Sequence, residues 1–260
     1  MSEIISHRES LLESCKTLKL NGVRSSIEKI VTLATQEKWS YDQIISTLLN
    51  EEISHRKEVR KRSLIRKASL PSLKYLEDLR REDLPKDMAI ALPELETLDF
   101  IKNHNNIIMY GNPGTGKTHC AIGLGIRACQ AGYNVLYTSI PHLLVEINEY
   151  ESQRRLRILQ KRFEKADLVI CDEFGYKSFD KKAAEDLFNI ISLRAGRKST
   201  ILTTNLGFDK WDQIFTDKII ANAMVDRLTE KSFLIDMTGV SYRLKSTQEW
   251  LKERKKKNKN

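Results

Sequence analysis

Residues 111–118 read Gly111-Asn112-Pro113-Gly114-Thr115-Gly116-Lys117-Thr118 and match the pattern G-x-x-x-x-G-K-[ST]. Each residue type has a chemical reason to be there. Glycines let the backbone wrap so that successive N–H groups converge on phosphate oxygens. A helix opening at the end of the loop adds favourable partial charge. Lys117 offers a cation to the β and γ phosphates of a nucleoside triphosphate, and the Thr118 hydroxyl offers a ligand to Mg²⁺. Further on, the apolar run Leu168-Val169-Ile170-Cys171 delivers Asp172 and Glu173 at its end. Asp172 suits the magnesium shell. Glu173 suits a base that orients and deprotonates an attacking water, which points to hydrolysis rather than transfer to a bound acceptor. Thr203-Thr204-Asn205 closes another apolar run, where Asn205 could position that water.

These groups work together only if strands and helices bring them together. After Asn103, short runs rich in β-branched residues alternate with longer helical stretches. Strands are expected at 107–110, 134–138, 167–171, 199–203 and 233–235. Helices are expected at about 117–131, from about 141, and at about 181–195. Such alternation predicts a parallel sheet covered by helices on both faces, with the ligand along one edge of the strand ends. The tip of the fourth strand is expected between the first and third. Residues 1–68 read as helical, with Ser40 capping a helix that runs into a basic block. Pro71, Pro85 and Pro93 punctuate a segment, 69–105, that reads as a linker with short helical pieces such as 94–102. The expected division is a helical domain at 1–68, a linker at 69–105, a catalytic domain at 106–247 and a basic tail at 248–260.

The chain has 260 residues and a formal net charge of +9. The surplus is local: Arg56, Lys57, Arg60, Lys61, Arg62, Arg66 and Lys67 stand against Glu58 alone, and 252–260 carries six cations against Glu253. Basic blocks on a near-neutral body suit a polyanion. No run approaches the ~18 apolar residues of a membrane span, and no secretory signal is expected from the opening residues. The scattered Cys15, Cys120, Cys129 and Cys171 suggest neither a disulfide framework nor a zinc site, so a reducing cytoplasm is the expected location.

Taken in order, Gly111–Thr118, Asp172–Glu173 and Asn205 resemble Walker A, Walker B and sensor 1 of the AAA+ ATPases. The segments GNPGTGKTH, CDEFGY, ILTTN, WDQIFTD, VDRL and GVSYRLK, with the GYKS stretch and Trp211, are similar to successive signatures of the IstB-type transposition helper ATPases. These are related to the DnaC-type helicase loaders and to DnaA. The resemblance spans about residues 8 to 247 and includes the basic run before the ATPase core. It implies an AAA+ P-loop NTPase core of five parallel strands without a full C-terminal lid, preceded by a small all-helical domain. About 25 residues follow Ile235, so a full helical lid of several dozen residues is not expected. It also implies that Arg227 is an arginine finger reaching the γ phosphate of a neighbouring subunit, and that Arg243 is a sensor 2 arginine in cis. Arg194 and Arg197 are further candidates for the subunit boundary. The nucleotide is expected to be ATP, since no Asn-Lys-x-Asp quartet for guanine is present. Its adenine contacts are expected around residues 70–84.

Arg56, Lys57, Arg60, Lys61 and Arg62, and a second set of Arg154, Arg155, Arg157, Lys161 and Arg162, are the candidates for DNA phosphates. Few aromatics accompany them, so duplex binding with little sequence preference and a steep salt dependence is expected. By resemblance, ATP-bound subunits assemble on duplex DNA and recruit or activate a transposase, with hydrolysis driving release. A helicase loader, or a DNA-binding switch with negligible turnover, stays open on the sequence alone.

Overall fold

The computed structural model describes residues 2–175, 179, 181–215 and 217–257. The chain divides into two compact units, Met1–Ser63 and Leu64–Asn260.

The first unit is helical: α1 (Ser2–Thr17), α2 (Asn21–Glu37) and most of α3 (Tyr41–Lys67), which ends in the second unit. Lys19 and Lys38 take left-handed φ values of 55° and 52° where α1 and α2 stop. Ser40 caps α3 as expected. Its hydroxyl accepts from the Gln43 N–H, and the Gln43 side chain accepts from the Ser40 N–H in return. The core is small and centres on Cys15, Val23 and Ile27. Gly22 allows α2 and α3 to approach closely, because a Cβ there would lie 2.7 Å from the Glu51 carbonyl oxygen and the Glu52 Cα. The buried Glu52 carboxylate accepts from the Gly22 and Val23 N–H groups at 2.7 and 3.2 Å, closing the N-terminus of α2.

The second unit is a parallel five-stranded sheet: β1 (Asn106–Tyr110), β2 (Val135–Ser139), β3 (Leu168–Phe174), β4 (Ser199–Thr204) and β5 (Ser232–Asp236). The strand order is β2-β3-β4-β1-β5, so the β4 tip does lie between those of β1 and β3. Side chains alternate between two apolar layers. Ile108, Val169, Cys171 and Leu202 face one layer, with α7 (Ile140–Ser152), α8 (Leu156–Lys165), α9 (Lys181–Ser192) and α10 (Lys218–Thr229). Ile107, Met109, Ile170, Ile201 and Ile235 face the other, with α6 (Lys117–Gln130). The observed strands lie within a few residues of the expected ones.

Segment 69–105 is packed structure. Leu76, Met88, Leu92, Leu95, Leu98, Phe100 and Ile101 are buried in the second layer. Residues 94–102 do not form one helical piece. α4 (Lys86–Leu95) and α5 (Asp99–Lys102) are separated by Leu98, whose φ of 64° breaks the helix and lets it turn back to the sheet. After β5 comes α11 (Tyr242–Lys257), so the expected boundary at 247/248 falls inside a continuous helix. No described helix is long and apolar enough to cross a membrane.

Arg194 is not available to line a subunit boundary. Its guanidinium is buried at 2% exposure and donates to the carbonyls of Phe163, Ala166 and Ser199, joining the end of α8 to the start of β4. Burial pulls its pKa down to about 10. Sequence could not reveal this, because its closest partners are backbone carbonyls, which no side-chain pattern marks. Arg197 is exposed.

Candidate functional site

Residues 111–116 form the loop from β1 to α6. Gly111, Gly114 and Gly116 hold φ values of 138°, 81° and 99°. Two of these glycines also lack room for a side chain. A Cβ on Gly111 would lie 2.5 Å from the Met237 carbonyl carbon, and one on Gly114 would lie 2.2 Å from the Ser241 hydroxyl. The Lys117 ammonium folds back over the loop and donates to the Gly111 and Asn112 carbonyls, each at 2.7 Å. Burial pulls its pKa down to about 8, against the opposing pull of Asp172.

Asp172 is buried near the C-terminal end of β3. Its Oδ1 accepts from the Thr118 hydroxyl at 3.0 Å and from the Thr203 hydroxyl, and its Oδ2 accepts from the Tyr137 hydroxyl at 2.8 Å. The carboxylate is therefore held by three neutral donors. Burial first, then the charge of Asp172, raises the Tyr137 phenol, which stays protonated and donating. The pairing of β3 with β4 shifts between Cys171 and Phe174, and Glu173 sits at a φ of 60°. This bulge breaks the alternation of the strand and turns Glu173 outward while Asp172 and Phe174 stay buried. The Glu173 N–H donates to the Thr203 hydroxyl at 3.1 Å, so one β4 side chain braces both acidic positions.

These groups face a cavity of about 590 Å³. Of the residues expected to serve the nucleotide, Pro113, Gly114, Gly116, Lys117, Thr118, Asp172, Glu173, Asn205 and Arg243 line it. Gly111, Asn112 and Thr115 shape the loop from behind, and the Thr115 hydroxyl donates to the Asn112 carbonyl at 2.9 Å. The opposite wall comes from Lys74, Asp78, Leu79, Arg80, Asp83 and Leu84, inside the segment expected near adenine. The start of α11 closes a third side. The Tyr242 N–H donates to the Gly114 carbonyl at 2.8 Å, Lys245 pairs with Asp83, and Arg80 lies 3.6 Å from Glu249.

Arg227 does not line this cavity. It is exposed on α10, and among the described residues no hydrogen bond or ion pair engages it. Arg56, Lys57, Arg60, Lys61 and Arg62 all lie on α3. Arg56 is paired with Glu52 at 2.7 Å and Lys61 with Glu58 at 2.7 Å, whereas no ion pair takes up Lys57, Arg60 or Arg62 among the described residues. Arg154 and Arg155 are exposed between α7 and α8, and Arg157 on α8 lies 3.5 Å from Glu164. Arg162 is held by both Glu146 oxygens. Trp211 is buried against Phe174 and Phe208. In the GYKS stretch, Tyr176, Lys177 and Ser178 lie outside the described residues, as do 258–260 of the tail.

Sequence reasoning missed Tyr137, Thr203 and Tyr242. Each reaches the site from an element remote in sequence, so no local spacing marks it. Thr203 and Tyr242 stand inside motifs already singled out, and that nearness was the available signal.

The family described as IstB-like ATP binding protein matches residues 13–250. An insertion sequence IS21 protein of Pseudomonas aeruginosa, named as ATP-binding, is 32% identical over 88% of this chain and 86% of its own length. A similarly named protein of insertion sequence IS5376 from Geobacillus stearothermophilus is 31% identical over 96% and 99%. Among solved structures, AMPPCP-bound DnaA from Aquifex aeolicus aligns with a TM-score of 0.56 at 23% identity, covering 71% of this chain and 56% of that one. That likeness concerns the fold, which is the AAA+ P-loop NTPase core.

Proposed function

Because this chain belongs to the IstB-like ATP binding protein family, we propose that it is the ATP-hydrolysing helper of an insertion sequence, binding duplex DNA as an ATP-dependent homo-oligomer and recruiting or activating a transposase. The observation that carries this reading is the convergence of Lys117, Thr118, Asp172, Glu173 and Asn205 on one cavity. Backbone N–H groups of 111–118 and the Lys117 ammonium take the β and γ phosphates, Lys117 exchanging two loop carbonyls for phosphate oxygens. Thr118 and Asp172, oxygen donors already 3.0 Å apart, are the residues that would hold a hard divalent cation. Bound there, Mg²⁺ supplies charge neutralisation at the phosphates. Glu173, turned outward by its bulge, takes the proton of the attacking water, and Asn205 orients that water. Arg243 reaches the phosphates in cis. Arg227, exposed on α10, reaches them from a neighbouring copy, so that hydrolysis depends on assembly. The α3 cations and the 154–157 set contact DNA phosphates, and release follows hydrolysis.

The test is phosphate release by the purified chain with and without duplex DNA, alongside Glu173→Gln. The expected outcome is slow turnover that duplex DNA raises, and a variant that binds ATP without turning it over. A wild-type chain with no turnover on DNA would leave a nucleotide-gated switch instead. Pull-down of a hexameric helicase in place of a transposase would move the assignment to helicase loading.

A further inference from the structure

Tyr137 belongs to no nucleotide motif, and its place in the fold gives it a specific task. It stands on β2, the outermost strand beside β3, in register with Ile170. Its backbone N–H donates to the carbonyl of fully buried Ala68 at 2.8 Å, which fixes this edge of the sheet. Its ring packs against the apolar layer under α6, and its hydroxyl emerges from that layer to meet the Asp172 Oδ2. The Asp172 Oδ1 is taken from the other side by Thr203 of β4 and by Thr118 of α6.

The two carboxylate oxygens are thus held by different strands. Rotation of the carboxyl group about its Cβ–Cγ bond would break contacts on both sides at once. All the donors are neutral hydroxyls, so the group is oriented without being neutralised. Its full charge stays available to a cation, while Oδ1 is kept on the Thr118 side. A lysine or arginine at position 137 would orient the same oxygen but cancel the charge, and a phenylalanine would fill the same space and orient nothing.

We infer that Tyr137 is a positioning residue for Asp172, whose hydroxyl holds the carboxylate in the orientation that accepts Mg²⁺ with the nucleotide. This rests on the reading of the cavity as an ATP site. Hydrogen-bond partners behind a ligating carboxylate are worth about ten- to a hundredfold in metal affinity, which sets the scale of the effect.

The experiment follows binding of a fluorescent, non-hydrolysable ATP analogue to the full chain, titrated with MgCl₂ and repeated in EDTA, for wild type and Tyr137→Phe. The Mg²⁺ concentration for half-maximal binding is expected to rise about tenfold in the variant. Affinity in EDTA and the thermal melt should match wild type. An unchanged Mg²⁺ midpoint overturns the assignment. So does a variant that melts early and loses metal-free binding in parallel, since the hydroxyl would then be holding up the sheet edge. A wild-type chain that binds no analogue at any Mg²⁺ concentration removes the ATP reading itself, an outcome distinct from either.

Discussion

Glu52 in the helical unit and Asp172 in the sheet unit are both buried carboxylates held in networks, and the two are treated in opposite ways. In the helical unit, Glu52 accepts from two backbone N–H groups at the start of α2 and from Arg56. A helix N-terminus and a guanidinium together cancel its charge, and the Arg56 hydrogen bond leads in pulling its pKa below the ordinary 4.5. In the sheet unit, Asp172 accepts from Thr118, Thr203 and Tyr137 and has no ion-paired cation among the described residues. Lys117, the nearby candidate, is turned onto carbonyls of its own loop. A buried charge that is oriented but left uncancelled keeps electrostatic work for a ligand. A charge that is cancelled in place fastens the scaffold.

The contrast can be broken most severely at Asp172. Asp172→Asn keeps the size and loses the charge, and phosphate release should fall by at least about a hundredfold with the melt little changed. A malachite-green assay beside a circular-dichroism melt checks both halves.

Glu52→Ala should do the reverse. Analogue binding with Mg²⁺ should stay near wild type, while the helical unit loses about 1–3 kcal/mol through orphaned N–H groups on α2, read from denaturant unfolding of the full chain. The pH dependence has a definite sign. Because folding depresses the Glu52 pKa, its contribution is present above about 4.5 and is lost as pH falls through the lower folded value. Helical signal from this unit should therefore weaken on acidification below about 4.5, and less so in Glu52→Ala.

The same distinction sorts the α3 cations. Arg56 and Lys61 already have carboxylate partners, whereas among the described residues no ion pair engages Lys57, Arg60 or Arg62. Neutralising the latter three should lower the slope of log affinity for duplex DNA against log salt by up to about three, one per lost phosphate contact. Neutralising Arg56 and Lys61 should change it less. Fluorescence anisotropy at several salt concentrations measures both.

The smallest effect is expected where a half-buried pair closes the cavity. Lys245→Ala removes the partner of Asp83 on the wall opposite the phosphate loop. A pair whose lysine stays in contact with solvent is worth ~0–1 kcal/mol, so ATP affinity should fall by less than about fivefold. Calorimetric titration resolves a change of that size.

The strands, their parallel pairing and the phosphate loop were legible because each is written locally. β-branched runs, glycines and a lysine at fixed spacing state their requirement in adjacent residues. The break of the helix at Leu98, the burial of segment 69–105 and the interior role of Arg194 were not legible. A leucine at φ 64° and an arginine on carbonyls carry no distinctive spacing, and prolines read as linker punctuation also sit in packed turns. Asp172 and Glu173 were visible as a pair, but not the bulge that sends one inward and the other out.

By itself the sequence determined where the glycine-rich loop and its lysine lie, since backbone N–H groups and a lysine on contiguous residues need only local geometry to converge. The tertiary structure alone decided what surrounds Asp172. Tyr137, Thr203 and Thr118 come from β2, β4 and α6, and the strand order β2-β3-β4-β1-β5 is what places them about one carboxylate. Hydrogen bonds reach only about 3 Å. Groups far apart in the chain meet at that range only after apolar burial has packed the strands side by side and helices onto both faces.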